Sequence, residues 1–205
     1  LALPRLEPAP TTVEHPPILR SILEGLRFVR GNSALMGSFA IDLVAMTFGM
    51  PRALFAVLAL TVYDAGASGT GLLYASVSAG ATIAALTTGW VEHARWLGRI
   101  VIGAVTIWGL AIAAAGFMPS LWPAAALLAI AGAADSVSAV CRSIINQTVT
   151  PEHLRGRMSA IFMLVVTSGP RLGDLEAVLA AGLTTASIAV ISGVFACVLG
   201  VAVIV

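Results

Sequence analysis

Seven ionisable side chains, Asp42, Arg52, Asp135, Arg142, Arg171, Asp174 and Glu176, sit inside stretches that are otherwise apolar or small. Desolvation favours the protonated form of a carboxylate and a neighbouring arginine favours the ionised form. Such groups can therefore load and release a proton as their surroundings change. The arginines can also meet an anionic ligand. Spacing sorts these residues onto helix faces. At about 100° per residue, Asp135, Ser138, Arg142 and Asn146 form one narrow stripe. Thr167, Arg171 and Asp174 form another, the last two close enough for an i,i+3 pair. Asp42 and Arg52 are about 15 Å apart along a helix axis, too far to pair with each other. Between them Met50-Pro51 predicts a kink, because proline removes a backbone donor and clashes with the preceding turn. Pro170 predicts a second.

The segments that carry these groups are long enough to cross a bilayer. A hydrocarbon core of about 30 Å needs about 20 apolar residues per helix. Six stretches qualify, at about 34–60, 71–90, 100–118, 121–145, 158–182 and 184–205. Turn-forming sequences separate them: YDAGASGTG, EHARWLGR, MPS, TVTPEHLRGR and GLTT. With 59% hydrophobic and only 10% charged residues, the chain has no surface fit for water. The expected fold class is thus an all-α integral membrane protein, a six-helix transmembrane bundle over residues 33–205. An ionisable group at mid-membrane costs about 2.5–3.5 kcal/mol, so the seven must pair or face a wet cavity. Spans two, three and six carry none and are the ones expected against lipid. In the second span, Gly71, Ala75, Ala79 and Ile83 follow one i,i+4 row, with Gly80 and Ala84 beside it. Such rows predict close helix–helix approach.

Arginine placement orients the bundle. Arg5, Arg20, Arg27 and Arg30 precede the first span, Arg95 and Arg99 follow the second, and Arg155 and Arg157 follow the fourth. The remaining three loops contain no arginine. The N-terminal linker and loops 91–99 and 148–157 are therefore expected in the cytoplasm, in a multi-pass protein of the plasma (inner) membrane. His15, His93 and His153 fall on that side, as solvated loop residues. The first and fourth spans then run in opposite directions. Depth matches Asp42 with Arg142 and Arg52 with Asp135, if both helices line one cavity. Residues 1–17 read as a Pro-rich flexible linker. Residues 18–32 read as a short amphipathic interfacial helix, with Ile18, Ile22, Leu26 and Val29 on one face and Arg20, Glu24 and Arg27 paired along another. The chain opens on Leu and stops within GVAVIV, which predicts a part of a longer protein.

Other function classes find little support. Net charge is +1, so bulk charge points to no nucleic acid. Cys141 and Cys197 lie in apolar runs without metal-ligand spacing, no histidine lies within a span, and neither HExxH nor GxSxG occurs. No metal, no cofactor and no catalytic residue is expected, and an intramembrane enzyme is disfavoured. A non-transporting membrane fragment or scaffold from a truncated gene is the alternative to a transporter.

Three stretches resemble the C-terminal six-helix half of a major facilitator superfamily transporter. GWVEHARWLGR is similar to that family's loop motif of glycine, eight residues, glycine and arginine, at Gly89, Gly98 and Arg99, with Glu92 and His93 near the usual aspartate and Ile100 at a commonly basic position. PEHLRGR, containing Pro151, Arg155, Gly156 and Arg157, is similar to the basic loop between the family's tenth and eleventh helices. SGPRLGD, Ser168 to Asp174, resembles a Gly-Pro-x-x-Gly exporter pattern in its symmetry mate. Residues 20–205 as a whole look closest to the enterobactin-exporter-like branch of siderophore and drug exporters. The resemblance implies a missing N-terminal six-helix half of the same protein as partner, with a small-molecule substrate bound between halves. It also implies cytoplasmic gating by Arg99, Arg155 and Arg157, with the proton gradient as energy source. The expected proton and substrate pathway is Asp42, Arg52, Asp135, Ser138, Arg142, Arg171, Asp174 and Glu176.

Overall fold

The structure, a computed structural model, describes residues 18–48 and 54–183. The expectations for the linker at 1–17, for Met50, Pro51 and Arg52, and for the sixth span at 184–205 lie outside those residues.

Among the described residues all regular structure is helical. Helix α1 covers Ile18–Gly31, α2 Ser33–Phe48, α3 Leu54–Thr61, α4 Gly66–Thr87, α5 Leu97–Gly116, α6 Leu121–Val149 and α7 Arg155–Leu183. The first expected span is therefore covered by α2 and α3 on either side of residues 49–53, and the next four by α4 to α7. Three helical stretches, Gly66–Val91, Leu97–Gly116 and Leu121–Val149, are each long and apolar enough to cross a membrane. α7, at 29 residues, is long enough as well but carries the polar SGPRLGD stretch within it. Large apolar side chains such as Ile83, Leu86, Ile107 and Leu110 stand exposed on α4, which carries no ionisable residue, and on α5, whose one ionisable residue, Arg99, sits in its first turn. Water would not tolerate such a surface, but lipid does. Trp90 and Trp96 flank α5 at one end, Phe117 and Trp122 at the other, all exposed at the level where amphipathic rings favour the membrane boundary. The chain is a multi-pass helical membrane protein.

One boundary differs from expectation. α4 begins at Gly66, so most of YDAGASGTG is helix rather than loop. The reversal is concentrated in Asp64 and Gly66, both with left-handed backbone, at φ 46° and 57°. Aspartate tolerates that region better than most residues and glycine adopts it freely. Tyr63 locks the corner: its hydroxyl donates to the carbonyl of Ala115 at 3.3 Å, and burial pushes its phenol above the ordinary value.

Helix α6 packs chiefly against α4 and α5, while α2 packs against α7 and α1. Trp108, Ile112, Leu73 and Leu128 fill the first group, and Leu35, Phe39, Met158 and Ile161 the second. The closest approach is reciprocal. A Cβ on Gly80 would lie 1.8 Å from the carbonyl oxygen of Ala129, and one on Gly132 would lie 2.1 Å from that of Val77. Backbone touches backbone there. Of the residues predicted to make this contact, Gly71, Ala75, Ala79 and Ile83 face outward, whereas Gly80 and Ala84, named beside them, are buried. Gly69, Leu73, Gly80 and Ala84 face inward. Small residues line both faces of α4, and the partner carbonyl on α6 decides which face is used. Replacing Gly80 with leucine should therefore force the two helices apart and cost about 3 kcal/mol. Gly71→Leu, with nothing within 4 Å of its added carbon, should stay within about 0.5 kcal/mol of the parent. Thermal unfolding of the detergent-solubilised protein, followed by tryptophan fluorescence, separates the two. Equal losses would contradict the assignment.

Candidate functional site

Arg142 is the centre of the site. It lies on α6 with its side chain only 3% exposed. Helical side chains lean toward their own N-terminus, which carries the guanidinium back past Ser138 towards Asp135. Its Nη1 donates to the Ser138 hydroxyl at 3.2 Å. Its Nη2 lies 3.9 Å from Asp135 Oδ1 and 2.9 Å from Asp42 Oδ1 on α2. Asp42 is 1% exposed and Asp135 27%.

One arginine thus stands between carboxylates from two helices, one of them sealed and the other partly open. The Asp42 contact is close but not aligned as a hydrogen bond. Both Asp42 carboxylate oxygens and Arg142 Nε lack a hydrogen-bond partner among the described residues. Charge rather than directed bonding holds this pair, and an incompletely bonded buried network rearranges more easily than a saturated one.

The α6 stripe continues beyond Arg142. Asn146 and Thr150 are both buried, and the Thr150 hydroxyl donates to Asn146 Oδ1 at 3.2 Å. At about 1.5 Å per residue, Asp135 to Thr150 spans about 22 Å. It ends beside a cavity of about 310 Å³ lined by Asn146, Thr150 and Arg155.

On α7 the arrangement differs from the sequence reading. Arg171 is exposed and Asp174 half-buried. No ion pair joins them among the described residues, and Asp174 is engaged elsewhere. Pro170 sits inside α7 without ending it, and Glu176 lies two residues beyond Asp174 on the same helix. Two glycines of the SGPRLGD stretch carry a role that the sequence reading missed. A Cβ on Gly169 would come within 2.8 Å of the Met46 Cβ, and one on Gly173 within 2.6 Å of the carbonyl oxygens of both Met46 and Thr47. The pair is what lets α7 lie flat on α2. Their Gly-x-x-x-Gly spacing was the available signal.

The gate residues are distributed as follows. Gly89, in the 3-10 turn Thr88–His93, and Gly98 are exposed, and Arg99 stacks 4.4 Å from the ring centre of Trp96. Pro151 and Gly156 are exposed, and Arg155 lies 3.8 Å from Glu152, both largely open to solvent. Arg157 pairs with Glu24 of α1. Glu24 thus reaches across to a residue far away in sequence, besides a further interaction of its own. Among the described residues no group of three or more His, Cys, Asp or Glu gathers as a metal site would require.

Curated relatives decide the kinship. The chain is 33% identical over 175 residues to "Enterobactin exporter EntS" of Citrobacter koseri, covering 84% of this chain and 41% of that protein. It is 34% identical over the same extent to the proteins of that name from Escherichia coli O139:H28 and Shigella boydii serotype 18. This chain is a homologue of these proteins named as enterobactin exporters. It spans about two fifths of the length of these relatives. No family model and no solved structure matches it. The relatives named here are exporters by name, and the apolar helices of this chain are those of a multi-pass membrane protein.

Removing one partner of a buried pair strands the other charge, at a cost of about 3–5 kcal/mol. Arg142→Met alone should lower stability by about that amount. Adding Asp42→Leu to it should restore most of the loss. A double-mutant cycle on thermal unfolding measures the coupling, and simple additivity of the two single losses would show that the residues do not act as a pair.

Proposed function

We propose that this chain is the C-terminal six-helix half of a proton-coupled exporter of small molecules of the siderophore class, working by alternating access with a second six-helix half. The observation that carries this reading is the Arg142 cluster: a guanidinium between Asp42 and Asp135 from two helices, deep in an apolar bundle. Charge at that depth is costly and serves transport when it marks an ion or substrate path. The name borne by the relatives supplies the substrate class, and the share of their length covered fits a half.

In this mechanism Asp42, Asp135 and Asp174 are the proton carriers. Arg142 moves its weight between Asp42 and Asp135 as the bundle rocks, so that the carboxylate losing its countercharge takes up a proton and the one gaining it gives one up. The 3.9 Å and 2.9 Å separations require only a small rotation of the guanidinium for that exchange. Ser138 steadies the guanidinium through the movement. Asn146, Thr150 and the cavity beside Arg155 form the proton's route to the cytoplasmic end of α6. Arg171, exposed on α7, faces the cleft between halves and meets the negative charge of the substrate, together with Arg52. Glu176 is assigned to the same path. The linker and loops 91–99 and 148–157 are cytoplasmic, where Arg99, Arg155 and Arg157 make and break contacts as the inner gate opens. No bound cofactor is involved, and the proton gradient drives the cycle.

The test is efflux from cells expressing the complete gene, with a siderophore such as enterobactin and a lipophilic cation side by side, with and without a protonophore. Efflux should favour the siderophore and collapse with the protonophore. Asp135→Asn should abolish it while the protein still reaches the membrane. Normal efflux by that variant would remove Asp135 from the mechanism. Movement of neither compound by the parent would favour a non-transporting fragment.

A further inference from the structure

A cavity of about 490 Å³ opens where α1, the start of α2 and the start of α7 converge. Its polar wall is formed by Glu24, Arg27, Asn32, His153 and Arg157, and Phe28 lines its apolar side. None of these residues belongs to the buried cluster around Arg142. The depth of the cavity follows from its neighbours. Gly31 and Asn32 immediately precede the apolar run of α2, Leu154 immediately precedes α7, and Arg157 stands in the first turn of α7. The cavity therefore lies where hydrocarbon gives way to headgroups. Asn32 shapes its rim, its Oδ1 accepting from the backbone N–H groups of Ala34 and Leu35 and so capping α2.

Charge and apolar surface are arranged together here. Gly25 and Val29 of α1 are turned onto the bundle, and a Cβ on Gly25 would meet the Ile161 side chain. That docking leaves Ile22, Leu23 and Leu26 exposed along α1, at 45%, 64% and 44%, with Leu23 one turn before Arg27 of the cavity wall. The wall's single carboxylate, Glu24, is held by Arg157. Arg27 and His153 have no ion-pair partner among the described residues.

We infer that this cavity binds the phosphodiester headgroup of an anionic phospholipid, with Arg27, His153 and Arg157 around the phosphate and the acyl chains running along Ile22, Leu23 and Leu26. Arginine suits the role because its planar fork offers two parallel donors to one phosphate. A soluble anion would use the same basic groups but would have no use for the apolar strip beside them. A bound lipid would also bridge α1 to the first turn of α7, where Arg157 already ties the two helices together.

The experiment reconstitutes the full-length protein in nanodiscs of phosphatidylcholine with equal minor fractions of phosphatidylglycerol and phosphatidylethanolamine, removes lipid stepwise, and counts what stays bound by native mass spectrometry. Phosphatidylglycerol should be retained over phosphatidylcholine. Combining Arg27→Gln with His153→Gln should lower that retention about fivefold or more, the effect of roughly one basic group at a membrane surface. Arg27→Lys should keep most of it. Arg30→Gln, exposed on α1 and outside the cavity wall, should leave it unchanged. Equal retention of the two lipids overturns the site, and so does an equal loss in Arg30→Gln, which would reduce it to diffuse surface charge. Preference for phosphatidylethanolamine over phosphatidylglycerol overturns the anionic assignment. Displacement of the lipid by inorganic phosphate overturns the lipid assignment in favour of a soluble phosphate.

Discussion

An arginine cannot shed its proton in a protein, so once Arg142 is placed inside an apolar bundle the rest of the structure must accommodate a permanent positive charge. Withdrawing such an ion from water carries a penalty of several kcal/mol even after relaxation. The accommodation is visible on two helices. α6 supplies Ser138 and Asp135 from its own preceding turns, and α2 brings Asp42 across to within 2.9 Å. A charge that must be met from two directions fixes the rotation of both helices about their axes.

That demand falls at a sensitive place in the bundle. α6 is packed broadly against α4 and α5, and α2 broadly against α7, whereas α2 and α6 meet over a narrow front. Both broad contacts are closed by glycine. Gly80 and Gly132 bring backbones together on one side, and Gly169 and Gly173 press on Met46 and Thr47 on the other. The two packed groups are therefore stiff units. The ion cluster is the polar bond between them, supported by α2 residues Ile41 and Ala45 in the larger core.

Most of the architecture was legible because composition alone separates lipid-compatible helices from the turns between them. The approach of Asp42 to Arg142 was also within reach, since two helices of opposite direction let depth be read along the chain. The approach of Asp135 to Arg142 was not. It runs two turns along a single helix and depends on how far a long side chain leans back. The packing face of α4 was legible only in part: Gly80 and Ala84 were among the small residues read as contacts, but Gly71, Ala75 and Ala79 look as suitable, and only α6 chooses between them. The α4 start at Gly66 was hidden behind glycine and serine, which favour turns in water but sit readily in a helix whose partner is lipid or another helix. Glu24 with Arg157 pairs residues too distant in sequence for periodicity to join.

The outward face of α4 has a mechanical property of its own. Ser78 and Thr82 stand exposed on it beside Ala75 and Ala79, yet their hydroxyls donate to the carbonyls of Tyr74 and Ser78 in the same helix, at 3.1 and 2.8 Å. Thr70 and Ser76 do likewise with Gly66 and Leu72. Such hydroxyls ask nothing of a neighbour. Between Tyr74 and Ile83 the row carries no long side chain, and the surface there is low in relief and chemically self-sufficient. A helix resting against it can slide or lift away without breaking a hydrogen bond or unlocking an interdigitated side chain, so this side of the bundle works as a bearing.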